Sequence, residues 1–292
     1  MGQTVYERYS AAREVYAAAS DSIGVDMARV CFGDLVYLQK DTRIAQPAIA
    51  TVALAEYRSW CDENDRKADL LTGLSKGLYT AVGASGAVEG ESLSEKDANT
   101  IGLIGKRAVI MHRVAQDNPG SMTAVLGLIR TELANHIPAG VKVAVSRGEQ
   151  HFVLTGPKAK IRNFQKKMSG IVGERKSRKL PIDMAAHHPY QAATIEPLRN
   201  ELTQTITNYP DIPILGNSPD PGYLENPEQI IEHLLSQMVE EAQWDWTVKQ
   251  LAHAGISQVI QFGPDKKRGL MRDASKSINV RTIKFPQETI AV

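Results

Sequence analysis

Ala68-Asp69-Leu70-Leu71-Thr72-Gly73-Leu74-Ser75-Lys76-Gly77-Leu78-Tyr79-Thr80-Ala81-Val82 is the stretch from which the fold is read. Ala68–Thr72 has the apolar density of a short buried strand, and Tyr79–Val82 continues as a helix. Between them, Gly73–Gly77 forms G-x-S-x-G. A serine in such a strand-turn-helix elbow is held in a strained conformation, and small neighbours let strand and helix pack closely. Its oxygen then stands at a helix N-terminus, where backbone N–H groups, that of Lys76 foremost, stabilise a developing oxyanion. The same pattern also serves as a plain structural turn, so Ser75 needs a base before it reads as a nucleophile.

Seven histidines are available. His112, His136 and His253 fall in expected helices or at their ends, His151 begins a strand, and His233 shares a helix with polar residues. These five read as surface or capping histidines. His187 and His188 differ, because Ala185-Ala186-His187-His188-Pro189 follows the expected strand Leu180–Met184. A histidine at a strand end beside small residues can reach across a cleft to a serine on another strand end.

Working outward, helices are expected over residues 3–21, from Pro47 through Trp60, and over residues 97–116. After Asn118-Pro119-Gly120 the texture changes. Met122–Leu128 reads as strand, 129–136 as helix, Val141–Val145 and Phe152–Thr155 as a strand pair, 158–170 as helix, and Leu180–Met184 as strand. That β-α-β-β-α-β order is a ferredoxin-like unit. Longer elements resume with a strand at Ile212–Leu215, helices over 227–241 and 244–254, and a strand at Ser257–Phe262. The expected fold class is α/β: an α/β-hydrolase-like parallel-sheet core over residues 1–117 and 186–292, with an inserted ferredoxin-like small subdomain over 118–185.

At 292 residues the chain is long enough for two such lobes. Its formal charge of +1 gives no global field for nucleic acid or membrane. The longest apolar runs fall short of a membrane span, and the N-terminus lacks a basic-then-apolar secretion signal. Two cysteines cannot build a disulfide framework or a structural zinc site, so a cytoplasmic setting and no metal are expected. Locally the charge is uneven. Residues 158–179 carry nine basic side chains and one acid, Glu174, a net +8 that leaves −7 for the rest. Such a face is either a solvated helix surface or a platform for an acidic partner or phosphates.

Several further segments line up in order. They are Thr42 with Gln46-Pro47-Ala48, the elbow followed by Ala84-Ser85-Gly86-Ala87, and Arg107 four residues before Met111. Gly120-Ser121-Met122-Thr123-Ala124-Val125-Leu126-Gly127, His187, Asn217, Gln237, Gln243-Trp244 and Gly263-Pro264 complete the set. Colinear over nearly the whole chain, they resemble the malonyl-CoA:acyl carrier protein transacylases and the acyltransferase domains of polyketide synthases. The resemblance implies an acyltransferase of fatty-acid or polyketide biosynthesis. Ser75 would attack the thioester of malonyl-CoA, and His187 would take the proton and return it to the leaving thiol. The carbonyl of Gln237 would orient His187, Arg107 would clamp the malonyl carboxylate, and Leu74 and Asn217 would line the substrate site. No cofactor is implied beyond the CoA thioester as substrate and the phosphopantetheine of the acyl carrier protein, its expected partner.

Two departures stand out. This chain begins just after the family's F-P-G-Q-G-S-Q strand, whose glutamine approaches the oxyanion; either the start codon is called late, or the site works with fewer oxyanion donors, at about 3–4 kcal/mol for one lost donor. The elbow has Leu74 and Leu78 where transacylases carry His and Glu. Leucine before the nucleophile also resembles acyl hydrolases that clear carrier-bound chains from polyketide assembly lines. That hydrolase, and a catalytically weak carrier-binding relative, are the alternative readings.

Overall fold

In the computed structural model, which describes residues 1–264, 270 and 281–285, the helix expected over 3–21 is two helices, α1 (Gln3–Arg8) and α2 (Ser10–Ile23). Tyr9 between them is extended, and Arg13 donates to the carbonyls of Tyr6 and Glu7 freed by the break. Gly24 at φ +74 closes α2 in the left-handed conformation that residues with a Cβ avoid. After α3 (Met27–Phe32) and a 3-10 turn over Val36–Lys40, α4 spans Thr42–Asn64.

The expected start of α4 at Pro47 is corrected by five residues. Asp41 accepts the N–H of Arg43 at 2.9 Å and caps the helix earlier, so Pro47 sits inside the first turns. A proline there forgoes the bond to Arg43's carbonyl, a loss the rest of this largely buried helix tolerates. Next come β1 (Leu71–Thr72), α5 (Lys76–Ala84) and α6 (Leu93–Asp117). The last starts four residues before the expected 97, at a reciprocal cap in which Glu95 N–H donates to Ser92 Oγ at 3.2 Å and Ser92 N–H donates to Glu95. Helix α4 packs against α2, α5 and α6, and Arg58 joins Asp97 across the α4–α6 contact at 2.7 Å.

Gly120 opens the smaller sheet, made of β2 (Gly120–Leu126), β3 (Lys142–Gly148), β4 (His151–Pro157) and β5 (Ser177–Lys179). Helices α7 (Arg130–Ala134) and α8 (Lys158–Val172) cover one face over a core that includes Val125, Phe152, Leu154, Ile161 and Phe164. The order β5-β2-β4-β3 is antiparallel throughout, with Met122 opposite Thr155. The strand expected at Leu180–Met184 lies earlier, at Ser177–Lys179. Leu180 makes a last bond to Met122, and Pro181 then offers no donor to extend the ladder. The two connections to this lobe cross closely, since a Cβ on Gly120 would lie 2.3 Å from the Ala185 nitrogen.

The chain returns through a 3-10 turn over Pro189–Thr194, α9 (Ile195–Thr205), β6 (Ile214–Leu215), β7 (Tyr223–Leu224) and α10 (Pro227–Ser236). It ends with β8 (Ala242–Gln243), α11 (Trp244–His253), β9 (Gln258–Gln261) and β10 (Arg281–Lys284). The α/β layering is as expected, and β1 pairs with β6 and β9 with β10 in parallel, but the sheet expected to be parallel is mixed, since β7 runs antiparallel to β6. Strand β8 joins the small sheet instead, parallel to β3, so that sheet includes residues from beyond the 118–185 segment. Among the described residues, no helix is long and apolar enough to cross a membrane.

Candidate active site

The elbow is as tight as its sequence requires. Ser75 has φ +53 and ψ −115, a left-handed φ that residues with a Cβ seldom adopt. A Cβ on Gly73 would lie 2.3 Å from the Gly77 carbonyl group and 2.8 Å from the Leu78 nitrogen, so strand and helix cross where only glycine fits. Nothing lies within 4 Å of a Cβ built on Gly77. Lys76 is the first residue of α5, which directs its N–H outward from the helix N-terminus beside Ser75.

The histidine expected from the far side of the cleft reaches the serine. Ser75 Oγ lies 2.9 Å from His187 Nε2, and His187 Nδ1 donates to the Glu240 carbonyl at 3.1 Å. Because a carbonyl only accepts, the ring proton sits on Nδ1 and Nε2 is left to accept from the serine hydroxyl. This corrects the orienting residue. The hydrogen bond goes to Glu240, one turn beyond Gln237, whose carbonyl also acts on the ring. The chain turns after α10, with Glu240 N–H donating to Ser236 O, so both carbonyls face the imidazole. Burial, and after it the Arg107 cation, lower the His187 pKa to about 4, against the two carbonyls, and the ring is neutral at pH 7.

Asn217 holds the nucleophile's backbone and does not line the substrate space as expected. Its Oδ1 accepts the Ser75 N–H at 3.1 Å and the Gln237 Nε2 at 3.2 Å, and its Nδ2 donates to Thr247 Oγ1 at 3.3 Å. Both ends of the amide are therefore used, and the residue is buried. His233, read from sequence as a surface or capping residue, is buried and accepts the Asn217 N–H at 3.0 Å. The signal for it was Gly216, where a Cβ would meet the His233 ring at 2.6 Å. Leu74 is half-buried and packs against two apolar clusters, one containing Leu215 and Trp244 and the other Met122 and Val145.

Arg107 is buried at 4% exposure, with its guanidinium 4.9 Å from the Tyr79 ring centroid. Its Nη1 donates to Gln46 Oε1 at 2.6 Å, while its Nε finds no partner. No ion pair to Arg107 occurs among the described residues. Gln46 thereby gains a role that sequence reasoning had not assigned. A cavity of about 350 Å³ opens beside the elbow, with Gln46, Ala53, Tyr57, Gly73, Leu74 and Phe262 on its walls. Among the described residues, no group of three or more His, Cys, Asp or Glu side chains is placed to hold a metal.

Elbow serine, buried neutral histidine and two-lobed α/β frame define an acyl-transfer class of protein, and the comparisons agree. The model of the acyl transferase domain matches residues 1–252, so the chain belongs to the acyl transferase domain family and is an acyltransferase. It is 27% identical over 273 residues to a malonyl CoA-acyl carrier protein transacylase of Bacillus subtilis, covering 90% of this chain and 65% of that one. It is 25% identical over 266 residues to the protein of that name from Escherichia coli K12, covering 88% of this chain and 82% of that one. The crystal structure of a malonyl-CoA:acyl carrier protein transacylase from Xanthomonas oryzae superposes with a TM-score of 0.84 at 26% identity, covering 95% of this chain and 87% of that one.

Proposed function

We propose that this acyltransferase moves a malonyl group from CoA to an acyl carrier protein through a covalent acyl-Ser75. The observation that carries the reading is Arg107: a buried cation with an unpartnered Nε, close enough to depress His187 and unmatched by a carboxylate among the described residues. A free carboxylate on the acyl group supplies the missing counter-charge in a two-pronged pair.

The geometry supports the following steps. Ser75 Oγ attacks the thioester carbon as His187 Nε2 takes its proton. The carbon–sulfur bond then breaks, and His187 returns the proton to the CoA thiolate. Lys76 N–H faces the developing oxyanion at the start of α5. The carrier's pantetheine thiol then gives its proton to His187 and attacks the malonyl carbonyl; the bond from that carbon to Ser75 Oγ breaks, and His187 passes the proton to Ser75 Oγ. The Glu240 carbonyl steadies the imidazolium, and Asn217 fixes the elbow throughout.

The acceptor is read from charge. All nine basic side chains of residues 158–179 are exposed, on α8, β5 and the turn between them, a face suited to an acidic carrier protein. Purified protein given malonyl-CoA and a phosphopantetheinylated carrier tests the assignment. Malonyl-carrier with little free malonate supports it. Release of free acid supports the hydrolase reading, and unchanged reactants support a carrier-binding relative without turnover.

A further inference from the structure

His188 is left over once the site is built. It is 4% exposed and follows the base directly. Both its ring nitrogens are engaged. Tyr190 N–H donates to His188 Nδ1 at 3.1 Å, so the ring proton is on Nε2, which donates to the Gly140 carbonyl at 3.2 Å. Two consecutive imidazoles therefore hold opposite tautomers, His187 with its proton on Nδ1 and His188 on Nε2.

The partners of His188 belong to different parts of the fold. Its backbone N–H donates to Met238 O at 3.3 Å, in the turn that also supplies the Glu240 carbonyl. Gly140 lies just before β3 in the small lobe, and Lys160 of α8 holds the adjoining Ala139 carbonyl at 2.7 Å. Lys142 is the charged side chain acting on the His188 ring. His187 itself sits at φ +57, a backbone conformation that a residue with a Cβ keeps only when its surroundings hold it there.

We propose that His188 is a positioning residue for the base: its Nε2–H bond to Gly140 ties the loop carrying His187 to the small lobe and so fixes the imidazole against Ser75. It acts through His187 and touches no substrate. The proposal rests on Ser75 and His187 being nucleophile and base, and not on which acyl group is moved.

A fluorophosphonate probe reads this without any acyl donor. Ser75 Oγ forms a bond to phosphorus, fluoride leaves, and the serine proton passes to His187. His188→Asn places Oδ1 where Nδ1 accepts from Tyr190 but falls short of Gly140, whereas His188→Gln places an N–H donor within reach of Gly140. The Asn variant is expected to label about tenfold more slowly, with its acid midpoint moved up as His187 loosens and hydrates. The Gln variant is expected to recover most of the rate. Parental labelling by His188→Asn overturns the proposal. So does an equal slowing of both variants that follows their melting temperatures with the pH midpoint unmoved, since that marks a structural cap only. Labelling that persists in Ser75→Ala overturns the nucleophile reading and this proposal with it.

Discussion

Asn217 Oδ1 holds the backbone N–H of Ser75 at 3.1 Å; the same side-chain amide is locked by Gln237 and Thr247, and His233 accepts the main-chain N–H of Asn217. The strained serine is thus fixed through its main chain, which leaves its hydroxyl to His187. Asn217→Ala strands at least two buried donors, a loss of about 2–3 kcal/mol. Its melting temperature is expected to fall, and its rate of acylation by malonyl-CoA to drop about tenfold beyond what the loss of folded protein explains. Stopped-flow acylation beside a thermal melt measures both.

The two glycines of the elbow are expected to differ. Gly73→Ala forces a methyl group into the Gly77 main chain at 2.3 Å and should lose about 3 kcal/mol or more, or fail to fold. Gly77→Ala meets no atom within 4 Å, and in the first turn of α5 it should be neutral or stabilising by about 0.5 kcal/mol. Urea unfolding of the two variants decides the point.

That contrast marks what the sequence carries. The elbow was legible because its constraint is local: a strand, a turn and a helix within fifteen residues. The antiparallel pairing of strands β2 through β5 was legible too, from alternating strands and turn residues. Helix starts were less so, because Pro47 is a stronger textual signal than the Asp41 cap that acts before it, and a single extended residue, Tyr9, splits a pattern that remains helical on both sides. The partner carbonyl of His187 and the clamp on Asn217 were missed for another reason. Both depend on how the chain folds back after α10, which sequence spacing does not encode. Gln237 was close, one turn short of Glu240.

The acid limb of activity should report Arg107. His187 acts as a base when neutral, and its pKa is lowered to about 4 by burial first and Arg107 second. The free-enzyme rate, kcat/KM, should therefore stay level from neutral pH down to about 5 and fall through about 4. A carboxylate bound to Arg107 offsets the cation, so the kcat profile should fall at higher pH than kcat/KM. Arg107→Ala should raise the kcat/KM midpoint and reduce kcat/KM for malonyl-CoA by about 10²-fold while leaving acetyl-CoA little affected. Parallel pH profiles for the two donors provide the check.

Two buried groups away from the reacting atoms should give stability opposite slopes with pH. Burial lowers the His233 pKa to about 4, so the unfolded chain binds the proton first. Its contribution is full above about 6.5 and lost as pH falls through about 4. Glu56 accepts the Gly263 N–H at 2.6 Å, and burial raises its pKa to about 7. There the folded chain holds the proton more tightly, and stability is lost as pH rises from about 4.5 through 7. Glu56→Gln keeps an acceptor for Gly263, and should exceed the parent by up to about 3 kcal/mol at pH 8 and match it near pH 4. Urea midpoints at those two pH values measure the difference.

The most direct measurement is peptide-mapped mass spectrometry of the protein quenched in acid seconds after mixing with malonyl-CoA. One malonyl group is expected on the peptide containing Ser75, absent in Ser75→Ala and discharged when carrier protein is added. A malonyl group on any other residue, or one that survives Ser75→Ala, would contradict the account.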